Sequence, residues 1–478
     1  MNKKILFVAS EVMPFAATGG LGDVLGSLPK AIKAACPQSD IRVIMPLYDT
    51  IDTSIKNCMS HVCSFNVQLA WRNLYCGIKS LEKDGVTYYF VDNEYYFKRS
   101  SLYGCYDDGE RFAYFCAATM QALHPLGFCP DIIHAHDWQS ALCIVYLKRK
   151  YGFFKEFANT KGIFTIHNIE YQGKYGVEIL SDIFDLQEHN KDILYYDNCL
   201  NLMKGAIVCA DKVTTVSPTY ANEIQTTEYA QGLEHILIQS SHKLCGILNG
   251  IDYDYYNPQN DRSVFCNYSS QSISKKVQNK LMLQQMLSLP QSSNIPLIAV
   301  ISRLVLHKGI ELITNAIQGL INEDIQFIII GKGNTNYESF FQAFEQQHYH
   351  KARAILNYDR ELSKKLYAAA DIFLMPSQSE PCGLSQMIAS RYGAVPVTRE
   401  TGGLSDSIRG YYEKDGEILG NGFTFKNYSC DELYERVMAA LGLYKDTKKW
   451  NTFVKKIMET DFSWHKSAAQ YIDLYQNL

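Results

Sequence analysis

The sequence predicts an α/β protein made of two doubly wound, Rossmann-like parallel sheets facing a cleft. Three observations predict it: short apolar runs bounded by turn residues recur, segments of helical spacing lie between them, and the alternation breaks once near residue 250 and then restarts. The 478 residues fill about three domains of ordinary size, or two large ones. Hydrophobic residues make up 47% and charged residues 20%, which gives ample apolar surface for folded cores and too little charge for disorder.

In the first half the runs at residues 4–10, 41–47, 131–136, 162–167 and 212–216 read as buried parallel strands. Val24-Leu25-Leu28-Ile32 and Ala141-Leu142-Val145-Tyr146 have the spacing of intervening helices. Residues 65–93 alternate as antiparallel strands do and are expected to form a hairpin insertion. The break falls at residues 249–258, followed by a polar Ser/Gln/Asn-rich stretch to Ser274. Alternation then resumes with strands at 296–301, 325–330, 354–356, 371–375 and 395–398, and helices at 309–320, 338–346, 361–369 and 384–392. The closing segment, 463–478, reads as a helix with apolar Ala468, Tyr471, Ile472 and Tyr475, able to pack on either domain.

Charge excludes some partners. With 46 Lys and Arg against 50 Asp and Glu, the net charge of −4 is not that of a general nucleic-acid or anionic-membrane binder. No run approaches the ~18 apolar residues of a membrane span. The first apolar run ends after Ala9, too short for an export signal, so the expectation is a cytoplasmic protein. The 14 cysteines are scattered without a Cys-x-x-Cys, which reads as reduced, mostly buried thiols.

Several loops follow predicted strands at the edge where α/β sheets bind ligands. The first is Thr18-Gly19-Gly20-Leu21-Gly22-Asp23 before a helix, where bare glycine amides can approach an anion. It is not a dinucleotide fingerprint, because Leu25 stands where a third glycine is required. In the second half, Ser302-Arg303-Leu304 with Lys308-Gly309 places two cations able to neutralise a diphosphate. Glu380-Pro381-Cys382-Gly383-Leu384 offers a carboxylate for sugar hydroxyls and two helix-start amides, and Thr401-Gly402-Gly403-Leu404 repeats the strand-Gly-Gly-helix pattern. Three such loops in one domain are far less expected by chance than one. His134-Ala135-His136-Asp137-Trp138 and Thr165-Ile166-His167-Asn168 occupy the matching positions in the first half. A His-x-His without a third ligand at recognisable spacing does not predict a metal site, and Asp252-x-Asp254 reads as an Asx turn. Gly-x-Ser-x-Gly and Gly-x4-Gly-Lys-Ser/Thr are both absent, which weighs against hydrolase and triphosphatase chemistry.

Taken together and in order, these six motifs resemble those of bacterial glycogen synthases and plant starch synthases, along nearly the whole chain. The resemblance implies a GT-B glucosyltransferase that moves glucose from ADP-glucose to the non-reducing end of an α-1,4-glucan (glycogen or starch), with retention and without a metal or other cofactor. It implies an acceptor-side domain over 1–248, rejoined by a final helix at 461–478, and a donor-side domain over 249–460. By the same resemblance Arg303, Lys308, Glu380, His167 and Asp137 are catalytic. Gly19, Gly20, Asn168, Asn249, Cys382, Gly383, Leu384, Thr401, Gly402 and Gly403 hold the donor. Ala17 stands where the family commonly has lysine, and Gln139 where related enzymes carry histidine. The Ala17 difference keeps two alternatives open: a UDP-glucose-dependent relative, and a catalytically weak glucan-binding paralogue.

Overall fold

A computed structural model describes residues 1–478, which divide into two compact units: Met1–Gly250 with Trp464–Leu478, and Ile251–Ser463. The division falls at 250/251 and 463/464 instead of 248/249 and 460/461, so Asn249 belongs to the first unit and Asp461 to the second.

The first unit's main sheet begins with β1 (Lys4–Val8), β2 (Asp40–Pro46), β3 (Ser60–Leu69), β4 (Arg72–Lys83), β5 (Val86–Asp92), β6 (Ile132–His136) and β7 (Lys161–Ile166). A small separate sheet follows, of β8 (Lys174–Tyr175), β9 (Tyr195–Tyr196) and β10 (Cys199–Asn201); β11 (Lys212–Thr215) and β12 (Leu244–Gly246) then complete the main one. Its order is β12-β11-β7-β6-β1-β2-β5-β4-β3, parallel from β12 to β5. The expected hairpin insertion is therefore corrected. β5 pairs in parallel with β2, Arg42 opposite Thr87, and β4 and β3 extend the same sheet antiparallel. The alternation was read rightly as antiparallel, but one half-exposed face marks a sheet edge as well as it marks an insertion.

The helix Gly20–Ala35 buries Leu21, Val24, Leu25, Leu28 and Ile32, the stripe its spacing predicts, and packs against the final helix Trp464–Gln476. That final helix buries Trp464, Ala468, Tyr471 and Tyr475, whereas Ile472 is only partly buried. Burying each large apolar side chain stabilises the docked helix by about 2–3 kcal/mol. A polar chain runs beneath it. Tyr475 Oη lies 2.8 Å from His134 Nδ1, His134 Nε2 lies 2.6 Å from Thr165 Oγ1, and Thr165 Oγ1 lies 2.5 Å from Thr214 Oγ1, all buried. Burial pushes the His134 imidazole down to about 3, so it is neutral, and both its nitrogens are occupied. Tyr475→Phe strands His134 Nδ1 in the core and is expected to destabilise the first unit by about 1–3 kcal/mol, read by urea denaturation.

The second unit's sheet contains β13 (Leu297–Ile301), β14 (Gln326–Ile330), β15 (Ala352–Ile355), β16 (Ile372–Met375) and β17 (Val395–Arg399). The hairpin β18 (Tyr412–Lys414) and β19 (Glu417–Leu419) precedes the edge strand β20 (Phe423–Phe425). The order β15-β14-β13-β16-β17-β20 is parallel throughout and reverses direction between β13 and β16. Asp415 and Gly416, both at positive φ, turn the β18–β19 hairpin in two residues.

All 14 cysteines are free. Five are buried (Cys36, Cys76, Cys116, Cys143 and Cys382), fewer than the sequence suggests, since a small thiol is also accommodated at half-covered strand ends. No helix is long and apolar enough to cross a membrane.

Candidate active site

In each sheet candidate loops leave the carboxyl ends of the two strands where the order reverses, β1 and β6 in the first unit and β13 and β16 in the second, and others follow β7, β12 and β17. Neighbouring loops diverge there and leave a crevice, the usual ligand position in open α/β sheets.

Beyond β1 the chain carries Glu11, almost completely buried. Its carboxylate accepts hydrogen bonds from the Thr18 amide (2.6 Å), the Thr18 hydroxyl (2.8 Å), the Gly19 amide (3.1 Å) and the Tyr103 hydroxyl (2.7 Å). The Gly19 amide is therefore already occupied, although Gly19 and Gly20 are both exposed, with nothing within 4 Å of the position a Cβ would take on either. Ala17 packs at the root of the loop, where a Cβ on Gly22 would stand 2.3 Å from its own. Glu11 is a residue the motif reading missed; its signal is a carboxylate three residues past a buried strand, before a glycine loop.

After β6, Asp137 adopts φ 56°, a conformation that L side chains rarely take and that neighbouring contacts must enforce. Its amide donates to Thr165 O (3.0 Å), and its Oδ1 accepts from the His167 amide at 2.7 Å. Burial nevertheless dominates and raises the Asp137 carboxyl to about 7, with the His167 and Asn168 amides pulling the other way. The His167 ring is paired through Nε2 with His136 Nδ1 at 2.9 Å, and burial pushes His167 down to about 3. His136, named only as part of a His-x-His, thus orients His167, while its own Nε2 is buried without a partner. Asp137, His167 and Asn168 are brought together as expected from their strand-end positions. Asn249 lies in this unit too, nearly buried, with its Oδ1 unpartnered.

In the second unit the loop after β13 docks on the loop after β16, because the Gln378 amide donates to His307 O at 2.9 Å. This joins residues 72 positions apart: Lys308 Nζ donates to Glu380 Oε2 at 2.6 Å, and Ser377 Oγ donates to the same oxygen at 3.1 Å. Glu380 is 5% exposed, and its Oε1 takes no hydrogen bond from the protein. Arg303, by contrast, is exposed with no side-chain partner. Close backbone packing requires the glycines. Gly309 has φ 69° and a Cβ there would sit 2.1 Å from Pro376 O, while Cβ atoms on Gly402 and Gly403 would sit 2.0 Å from Glu380 O and 2.1 Å from Cys382 O. The Gly403 amide donates to Glu380 O at 3.1 Å, fastening Thr401-Gly402-Gly403 to the Glu380 loop. Gly383 sits at φ 70°, ahead of the helix Ser385–Arg391 that Leu384 begins. Lys308, Glu380, Cys382, Gly383, Leu384, Thr401, Gly402 and Gly403 thus form one contiguous, largely buried cluster at the carboxyl edge of β13, β16 and β17.

Asp252 accepts from the amides of Asp254 (2.9 Å) and Tyr255 (3.2 Å), an Asx turn.

Comparison with known proteins agrees with this geometry. A family profile described as the starch synthase catalytic domain matches residues 4–239, and one described as glycosyl transferases group 1 matches residues 286–457. The chain is 45% identical over 482 residues to a glycogen synthase of Clostridioides difficile, covering 99% of both chains. It is 44% identical to one of Ligilactobacillus salivarius, over 99% of this chain and 100% of that one. It superposes on the catalytic domain of starch synthase IV from Arabidopsis thaliana, described as bound to ADP and acarbose, with a TM-score of 0.91 and 35% identity over 100% of this chain and 99% of that one. A sucrose-phosphate synthase from Thermosynechococcus elongatus, at 16% identity and TM-score 0.62, shares the fold. Since the two profiles take in every candidate loop residue but Asn249, and the relatives match end to end, the chain belongs to the glycogen synthase and starch synthase family of GT-B glycosyltransferases.

Proposed function

We propose that this glycosyltransferase moves glucose from ADP-glucose to the non-reducing 4-hydroxyl of an α-1,4-glucan with retention of configuration, in the cytoplasm and without a metal ion. The observation that carries the reading is the Lys308–Glu380 pair at the point where the second sheet reverses, with exposed Arg303 on the loop that also carries Lys308. The family relatives named glycogen synthase, and the ADP and acarbose in the description of the starch synthase structure, support the donor and acceptor classes.

Glycosyl transfer builds negative charge on the departing diphosphate and positive charge on the anomeric carbon. Arg303 and Lys308 stabilise the diphosphate, aided by Thr401, Gly402 and Gly403 and by the segment Cys382-Gly383-Leu384. Glu380 Oε2 is spent on Lys308 and Ser377, so Oε1 accepts from a glucose hydroxyl. A retaining reaction through a glycosyl-enzyme would need a free carboxylate beneath the ring. With Glu380 held in this way, same-face substitution, in which the leaving phosphate accepts the proton of the incoming hydroxyl, fits the residues better. In the first unit Asp137 and His167 are the catalytic residues of this reading, and Gly19, Gly20, Asn168 and Asn249 are its donor-binding residues.

The deciding experiment compares ADP-glucose and UDP-glucose as donors to glycogen. The expected result is kcat/KM at least about tenfold higher with ADP-glucose, the size of discrimination that a few nucleobase contacts provide. Equal use of both donors, or no chain elongation with either, overturns the proposal.

A further inference from the structure

The second unit has a cavity at the opposite edge of its sheet from Arg303, Lys308 and Glu380. It lies where β13 and β16 begin, so the five residues of β13, about 16 Å of strand, separate it from those loops. Its volume is about 390 Å³, and it is walled by the helices Lys276–Met286, Cys430–Tyr444 and Thr447–Glu459.

Its charge is unbalanced. Lys280 is neutralised: its Nζ donates to Asp371 Oδ2 at 2.6 Å, to Tyr444 Oη at 3.0 Å and to Ser293 O at 3.3 Å, and Asp371 Oδ2 also accepts from the Leu297 amide at 2.8 Å. Lys276 is not. It is 8% exposed, has no carboxylate within ion-pair distance, donates to Ala368 O at 2.7 Å and Tyr367 O at 3.5 Å, and otherwise faces only the Tyr268 ring, 5.9 Å away. A buried ammonium without a counter-charge is costly, and burial pushes Lys276 down to about 7 despite the attraction of Asp371. Lys445 is exposed at the rim, beside the neutral polar side chains of Ser274 and Asn451. Trp450, fixed edge-on against Tyr444 at 5.1 Å, supplies an apolar wall.

We propose that this cavity binds a small phosphomonoester, with the phosphate on Lys276 and Lys445 and the carbon skeleton against Trp450. A dianion supplies the missing counter-charge of Lys276, the volume admits a phosphorylated compound of a few carbons, and the rim hydroxyl and amide groups suit polyol oxygens. Neither the transfer reaction nor the loops assigned to it use any of these residues.

Calorimetric titration of the full chain with glycerol 3-phosphate, and separately with inorganic phosphate, tests the proposal. The expected result is one saturable event per chain with either probe. Lys276→Met weakens it at least tenfold, as does Lys445→Glu combined with Asn451→Glu, and Arg303→Ala leaves it unchanged. The double rim change lies on exposed positions and decides the matter where Lys276→Met fails to fold. No saturable binding overturns the proposal, as does binding that survives either change in a folded variant, or binding lost with Arg303→Ala. Binding of inorganic phosphate alone overturns the assignment to a phosphomonoester.

Discussion

Lys308→Ala is expected to lower kcat by about 10²–10³, the usual consequence of removing one preorganised donor from a developing negative charge. It is also expected to cost the second unit about 3 kcal/mol of stability, because Glu380 then keeps a buried carboxylate without its counter-charge. Arg303→Ala separates the two effects. Its guanidinium is exposed and unpaired, so turnover falls by a similar factor while the unfolding free energy stays within about 0.5 kcal/mol of the original. Steady-state kinetics with ADP-glucose and urea denaturation of both variants check this. Equal stability losses would mean that the Lys308–Glu380 pair has no structural weight. Combining Lys308→Met with Glu380→Gln is expected to be clearly less destabilising than the sum of the single changes, since the two side chains touch at 2.6 Å.

Asp137→Asn is expected to stabilise the protein at pH 8 while reducing transfer at least about 100-fold. The Asp137 carboxyl is raised from the ordinary value near 3.8 to about 7, chiefly by burial. Between those two pH values the folded chain holds a proton that the unfolded chain has released. Stability from this group is thus fully present below pH 4 and is lost as pH rises through 7, a loss of up to about 4 kcal/mol. Asparagine keeps an oxygen for the His167 amide and never ionises. The variant should therefore exceed the parent by about 2–4 kcal/mol at pH 8 and match it at pH 4. Denaturation at the two pH values measures this, and a variant less stable than the parent at pH 8 would contradict it.

How much of this was legible in the sequence follows from the range of the forces concerned. β1, β13 and β14 are nearly continuous apolar runs buried on both faces, which announce themselves, and β2, β6 and β7 are interrupted only by residues such as Arg42, His134, His136 and Thr165. The glycines of Gly402-Gly403 and the charged residues after β13 and β16 could be placed at strand ends for the same reason. Their partners could not. Nothing in residues 302–309 shows that Lys308 meets Glu380, because that contact depends on His307 O accepting the Gln378 amide across two loops. The Gly19 amide looked free because its partner, Glu11, is set by a fold-back of the chain and not by periodicity. Strands β3 to β5 were read rightly as antiparallel to one another but wrongly as an insertion, because alternation reports which faces are wet and is silent about which strand lies alongside.

The return of the final helix to the first unit has a consequence for biosynthesis. Ile251 N donates to Phe462 O at 2.8 Å, so the second unit starts and finishes at one point and has its full sequence once residue 463 has been added to the growing chain. The first unit at that moment still lacks the segment that supplies Tyr475 to His134. The half of the polypeptide translated earliest is thus the last to close its core, and a ribosome stalled before residue 464 would release a chain with a finished C-terminal body and an N-terminal one whose apolar groove stands open.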